Sequence, residues 1–190
     1  MTIDVGTGDG RAVLATAAAE PTTLVLGFDA DAASMAESSR RAAGPARRGG
    51  LPNAMFLRVA AEAPPLPLAR LASHVTVQFP WGSLLRGCLG ADPAVAAGVA
   101  SLVRPGCELE LLLAPARRDR LAGLPTTSAA VVAAAAAAFA PHGLAVVEGR
   151  PATAHEIRNS HSTWAKRLLA GNRHGTKAID RAVVLVRLRS

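Results

Sequence analysis

Asp4-Val5-Gly6-Thr7-Gly8-Asp9-Gly10 stands almost at the start of the chain, between a short apolar lead (Ile3, Val5) and an alanine-rich run over residues 11–19. Three alternating glycines between a strand-like and a helix-like segment have a mechanical purpose. Without Cβ atoms the backbone turns tightly, exposes its N–H groups and lies flat against a ligand. The next apolar run, Leu24-Val25-Leu26-Gly27-Phe28, predicts a second strand that closes on Asp29. That acid falls about twenty residues past the glycines, where a nucleotide-binding βαβ unit holds ribose hydroxyls.

Two ligand classes suit this arrangement. A dinucleotide usually wants G-x-G-x-x-G, with its pyrophosphate on the helix N-terminus. Here the spacing is G-x-G-x-G, and Asp4 and Asp9 flank it. Acids in those places repel a pyrophosphate but suit the ammonium and sulfonium groups of S-adenosylmethionine (SAM), so the methyl donor is favoured over a nicotinamide or flavin.

Outward from the loop, strand and helix patterns alternate as a doubly wound α/β fold requires. The sequence predicts a helix at 32–43, a basic loop bracketed by Gly44-Pro45 and Gly49-Gly50-Leu51-Pro52, and a strand at 54–59. A rigid Pro64-Pro65-Leu66-Pro67 connector leads to a strand at 74–79 that stops at Pro80. A helix at 93–103, a turn at Pro105-Gly106 and a strand at 108–113 follow. After an Arg-rich connector at 114–127 come an alanine helix at 129–139, a strand at 144–147, a polar, basic helix within 153–169 and a last strand at 182–188. The alanine helix reads as packing, since methyl groups let a helix lie close to a sheet.

A chain of 190 residues fits one domain, residues 1–190, with a sizeable core. The longest apolar run, 129–140, is too short to span a bilayer, and Asp4 and Asp9 interrupt any signal-peptide h-region. Cys88 and Cys107 have no zinc spacing, and His155, His161 and His174 lack the cysteine or acid neighbours of a metal site. The expectation is a cytoplasmic monomer with no metal and no membrane partner. Net charge is +7, and the cations are clumped. Arg40, Arg41, Arg47, Arg48 and Arg58 lie in an acid-free stretch, and Arg158, Lys166, Arg167, Arg173, Lys177, Arg181, Arg187 and Arg189 face one acid, Asp180. Such clusters read as a polyanion footprint, nucleic acid above all; arginine and alanine enrichment from a GC-rich genome is the plainer explanation.

Aromatics are scarce: two Trp, four Phe and no Tyr. Trp81 follows the predicted fourth strand, and carboxyl ends of parallel strands are where such sheets place ligands. Trp164 lies in Ser162-Thr163-Trp164-Ala165-Lys166-Arg167, amid the C-terminal cations. Either indole alone could be core; together they suit an extruded base held between two aromatic faces, worth about 1–3 kcal/mol per stack.

The glycine loop, Phe79-Pro80-Trp81-Gly82-Ser83-Leu84-Leu85-Arg86-Gly87 and Ser162-Thr163-Trp164 together resemble the Kam-type aminoglycoside-resistance 16S rRNA adenine-N1 methyltransferases. The likeness extends to Gly49-Gly50-Leu51-Pro52-Asn53 and Ala61-Glu62, and the Pro-Trp-Gly-Ser-Leu-Leu run is its most discriminating piece. The resemblance implies a class I SAM-dependent methyltransferase fold, Rossmann-like, with a central, mostly parallel seven-stranded sheet and helices on both faces. It implies methylation of N1 of a decoding-site adenine in helix 44 of 16S rRNA, within the assembled small ribosomal subunit, which blocks aminoglycosides. By matching motifs, Asp4, Gly6, Thr7, Gly8, Asp29, Ala61, Glu62 and Pro80 would hold the donor. Trp81 and Trp164 would clamp the flipped adenine, with Ser162 close to both ligands. Arg40, Arg41, Arg47 and Arg48, in a basic linker at 40–53, and Lys166, Arg167 and Arg173, in an insertion at 153–175, would meet the rRNA. Where the family carries further residues before the first strand, often a hairpin, this sequence opens almost on the strand. That departure bears on the stability of that edge of the fold and on part of the ribosome contact.

Methyl transfer from a sulfonium is an in-line displacement, and adenine N1 already offers a lone pair, so alignment rather than a base is the enzyme's task. Enzymes that methylate the exocyclic amine typically carry Asp/Asn-Pro-Pro-Tyr/Phe, whose polar residue accepts an amine hydrogen bond. Phe79 stands there instead, which favours the ring nitrogen. Ser83, in Trp-Gly-Ser-Leu-Leu, does not fit a nucleophile elbow. The competing readings are a methyltransferase of tRNA or a small molecule, and a non-catalytic RNA-binding protein with a vestigial donor site.

Overall fold

The computed structural model describes residues 1–115, 123–163, 165 and 183–190. Strands β1 (Thr2–Val5), β2 (Val25–Asp29), β3 (Ala54–Arg58), β4 (Ala72–Gln78), β5 (Val103–Leu113), β6 (Ala145–Pro151) and β7 (Val184–Arg189) form one sheet of order β3-β2-β1-β4-β5-β7-β6. The first five run parallel, and β7 lies antiparallel between β5 and β6. The order reverses between β1 and β4, because the chain winds outward to β3 and then returns. A crevice opens at the carboxyl ends of strands at such a reversal. β1 is therefore an interior strand, hydrogen-bonded on both sides. All four of its residues are buried.

Helices cover both faces. Helices α1 (Arg11–Ala19) and α2 (Ala32–Ala42) shield a smaller cluster around Val13, Leu14, Val25, Ala42 and Ala54. Helices α3 (Gly82–Cys88), α4 (Pro93–Ser101) and α5 (Ser128–Phe139) cover the main core, where Val95, Val99, Val131 and Phe139 meet Val75, Leu109 and Leu111. In α5 the buried residues are Val131, Ala135 and Phe139, as a packing helix requires. Helix α2 begins where the Asp31 carboxylate accepts from Ala33 N, and it ends with Arg40 and Arg41 against its negative pole. A short helix α6 (Ala154–Asn159) carries a full Thr153–Glu156 capping box. Arg150 from β6 clamps the same Glu156, and these hydrogen bonds, Arg150's first, pull its carboxyl down to about 2.

Several boundaries depart from the pattern reading. Helix α3 was not anticipated, because Pro80 and Gly82 look like a turn; yet Leu84, Leu85, Cys88 and Leu89 carry a helical repeat, and Leu85, Cys88 and Leu89 reach the core. The expected turn at Pro105-Gly106 is a bulge inside β5, where the register jumps from Ala72↔Val103 to His74↔Glu108. β6 runs on to Pro151 because β7 pairs with it along its length. The helix expected within 153–169 breaks off after Asn159, and helical backbone begins again at Thr163. At the break Ser160 Oγ donates to the Ile157 carbonyl at 2.7 Å, and His161 takes a left-handed φ of 53°. Two arginines of the C-terminal basic cluster are spoken for within the sheet: Arg187 bridges Glu110 and Glu148, and Arg189 pairs with Glu108. Cys88 and Cys107 are both free thiols, and burial pushes Cys88 up to about 12. No helix among the described residues is long and apolar enough to cross a membrane.

Candidate active site

The glycine loop occupies the crevice mouth. Gly6 N and Thr7 N both donate to the Phe28 carbonyl, at 2.8 and 2.9 Å, so the chain folds back over the end of β2 as it leaves β1. Gly6, Gly8 and Gly10 all have positive φ, between 57° and 75°. A Cβ on Gly6 would sit 2.4 Å from Leu84 Cδ2, whereas one on Gly8 would meet nothing within 4 Å. Both glycines are thus required by conformation, and a Cβ on Gly6 would in addition have to push the end of the Leu84 side chain aside.

Asp29 has a role the spacing did not show. Its carboxylate accepts from Gly8 N at 2.8 Å through one oxygen and from Asp31 N at 2.9 Å through the other. It braces the loop from below while its remaining lone pairs stay open to a hydroxylated guest. Asp4 is 5% exposed and accepts from Thr76 Oγ1 at 2.7 Å, a bond that follows from the Asp4↔Thr76 register of β1 on β4. Burial is the largest influence on it and drives its carboxyl up to about 6. The Thr76 bond and the nearby Thr7 hydroxyl draw it back, while the Asp29 charge adds to the rise. Thr7 lies close enough to ease the carboxyl without reaching the geometry of a full hydrogen bond.

A cavity of about 840 Å³ opens between this loop, the ends of β2, β3 and β4, and the start of α3. All eight residues expected at the donor line it: Asp4, Gly6, Thr7, Gly8, Asp29, Ala61, Glu62 and Pro80. Trp81 and Ser162 line it too, so segments far apart in the chain meet at one site. Trp81 is 79% exposed, the N-cap of α3, and projects from a backbone strained just upstream. Phe79 holds a φ of 49°, costly for a bulky side chain, while its ring is buried against Leu112, Ala165, Val183 and Leu185. Trp164, Lys166, Arg167 and Arg173 lie outside the described residues, as does His174. Arg40, Arg41, Arg47 and Arg48 belong to the surface, the last two on a 3-10 turn at Ala46–Arg48. Arg40 makes a surface pair with Glu37 at 2.6 Å.

Charge sorts the guests that the cavity can take. Its described lining includes Asp4, Asp9, Asp29, Asp31 and Glu62 and no lysine, arginine or histidine. That suits a cationic donor and opposes a pyrophosphate. Thr7 Oγ1 and Gln78 Oε1 are buried atoms without a hydrogen-bond partner among the described residues, and both residues line the cavity. Unsatisfied buried groups at a cavity wall are what a polar ligand completes. Sequence reasoning missed Gln78, Asp31 and Thr163. Gln78 was readable as the polar end of an otherwise apolar strand; Thr163 carried no signal apart from its neighbours. Among the described residues no cluster of His, Cys, Asp or Glu is placed to hold a metal ion.

The comparisons agree with this geometry. A family model described as NpmA: 16S rRNA (adenine(1408)-N(1))-methyltransferase matches residues 1–183. A 16S rRNA (adenine(1408)-N(1))-methyltransferase from Streptoalloteichus hindustanus is 34% identical over 176 residues, covering 88% of this chain and 80% of that protein. The crystal structure of the 16S rRNA methyltransferase KamB superposes with a TM-score of 0.83 at 32% identity, over 98% of this chain and 85% of that one. An alanine-for-tryptophan mutant of the 16S rRNA (adenine(1408)-N(1))-methyltransferase from Catenulisporales acidiphilia, solved with its cosubstrate SAM, gives a TM-score of 0.83 at 31% identity, over 98% and 84%. With its loop, its sheet order and nearly its whole length accounted for, the chain belongs to the 16S rRNA (adenine(1408)-N(1))-methyltransferase family.

Proposed function

We propose that this protein transfers a methyl group from SAM to N1 of adenine 1408 of 16S rRNA, in the small ribosomal subunit, and so confers aminoglycoside resistance. The observation that carries the reading is the pairing, in one cavity, of an all-acidic charged lining with the exposed indole of Trp81. The acids suit a sulfonium-bearing donor, and the indole offers a π-face to a base.

SAM supplies an activated methyl on a positively charged sulfur. This chain's residues supply place and orientation. Gly6 and Gly8 would let the loop backbone come close; Asp4 and Asp29, with Thr7 and Glu62, would hold the donor's polar groups; Ala61 and Pro80 would form apolar walls. Trp81 would fix the plane of the target adenine, and Ser162, which lines the same cavity, would stand beside both guests. Trp164 is the second face of the clamp in this reading, carried by the family resemblance. N1 has its own lone pair, so no side chain needs to remove a proton before attack. Alignment of the two guests is the catalytic contribution, worth several kcal/mol. N1 is also on the Watson–Crick edge, so the adenine must be unpaired, at a cost of about a few kcal/mol. Arg40, Arg41, Arg47 and Arg48 provide phosphate contacts, joined by Lys166, Arg167 and Arg173.

The direct test is primer extension on small subunits incubated with the protein and SAM. A new stop at adenine 1408 is expected, with none when SAM is omitted. A folded, SAM-binding protein that yields no stop overturns the rRNA assignment, and activity on tRNA or a small molecule would replace it.

A further inference from the structure

The Thr163 hydroxyl donates to Asp9 Oδ2 at 2.6 Å, joining residues 154 positions apart. Asp9 belongs to the glycine loop and is fixed there from two sides. Its Oδ1 accepts from Arg11 N at the start of α1, at 3.2 Å, and its carbonyl accepts from Ser38 Oγ of α2, at 2.5 Å. Thr163 belongs to the segment that follows α6, and that segment is also anchored. Ser160 is buried and accepts from Ser162 N at 3.3 Å, and Ala165 is packed against Phe79, Leu112 and Leu185. Both Ser162 and Thr163 line the cavity. An O–H to carboxylate bond of this length is charge-assisted and roughly twice as strong as a neutral one.

We propose that Thr163 is a positioning residue that couples donor binding to subunit binding. The inference rests on the methyltransferase reading above. The glycine loop and the cavity-lining pair Ser162 and Thr163 share this hydrogen bond. A donor packed against the loop holds Asp9 more firmly, and through Asp9 it steadies Thr163 and its neighbour Ser162 on the cavity wall. Linkage makes the effect reciprocal: subunit binding tightens the donor by the same factor.

The test measures small-subunit affinity of the full chain with and without saturating S-adenosylhomocysteine, and S-adenosylhomocysteine affinity without subunits by calorimetry. The wild-type protein is expected to bind subunits about fivefold or more tightly when S-adenosylhomocysteine is present. Thr163→Val, nearly isosteric but without the donor hydroxyl, brings that ratio to about one at an S-adenosylhomocysteine concentration that saturates the variant; Thr163→Ser restores the ratio. If the valine variant does not melt cooperatively, Thr163→Ala is read in its place. A variant lacking the hydroxyl that keeps the wild-type ratio overturns the proposal. So does a wild-type ratio of one, or failure of both variants to fold, which would make Thr163 merely structural. Failure of the underlying reading looks different: the wild-type protein then binds either no subunits or no S-adenosylhomocysteine.

Discussion

Trp81 and Asp4 line the same cavity under opposite conditions, one bare to solvent and the other shut away from it. An indole that is 79% exposed contributes little to the core. Trp81→Ala should therefore leave the melting temperature and the donor affinity nearly unchanged. It should lower kcat/KM on subunits by about 10–100-fold, the loss of one base stack. A collapse of the melting transition would instead show that the ring is packing. Asp4 gives a pH prediction. Its folded value of about 6 lies above its ordinary 3.8, so its stabilising contribution is complete below about pH 4 and lost as pH rises through 6. At neutral pH the unliganded protein carries a buried carboxylate at a cost on the order of 3 kcal/mol. A cationic donor relieves that cost, so donor affinity should rise between about pH 5 and 7.5. Asp4→Asn should flatten that rise in calorimetry and raise the melting temperature of the free protein at neutral pH. At this scale the glycines and Asp4 were legible because their chemistry is local. The bracing role of Asp29 was not, since it depends on where Gly8 N and Asp31 N come to rest.

Elements meet at points where single atoms decide the distance. Gly98 in α4 lies so close to the cavity wall that an added Cβ would sit 2.0 Å from the Ala61 carbonyl oxygen. Backbone cannot yield as a flexible side chain can. Gly98→Ala should cost about 1–3 kcal/mol by overpacking, and should weaken donor binding because Ala61 and Glu62 are displaced with it. Denaturant midpoints and calorimetry on the variant check both; stability loss with unchanged donor affinity would detach that wall from the donor. The strands were legible as apolar runs bounded by Gly and Pro, but their order was not. Nothing in Val184 to Arg189 says that β7 returns antiparallel between β5 and β6. Helix α3 was hidden by Pro80 and Gly82, and the end of α6 by polar residues that look helical until Ser160 turns inward to the Ile157 carbonyl.

Over the whole molecule the charges are segregated: a net +7 chain keeps its donor cavity acidic and carries Arg40, Arg41, Arg47 and Arg48 on its surface. Replacing those four with glutamine should weaken subunit binding and make its salt dependence shallower, by roughly 0.7–0.9 in the log–log slope for each phosphate no longer neutralised. Donor affinity should stay constant. An unchanged slope would remove them from the rRNA surface. Composition announced the polyanion partner but could not tell free cations from committed ones; Arg187 and Arg189 counted toward the footprint until the β5–β7–β6 register gave them Glu108, Glu110 and Glu148. The same register has a further outcome. Ala152 N donates to the Val183 carbonyl at 2.7 Å, so the pairing of β6 with β7 continues to the two residues between which the chain runs from 153 to 182. Closing a longer or shorter excursion across a fixed gap changes the entropy only logarithmically. A lineage could therefore lengthen or shorten the connection between Ala152 and Val183 at little entropic cost, provided that Thr163 keeps its bond to Asp9 and Ala165 its seat beside Phe79.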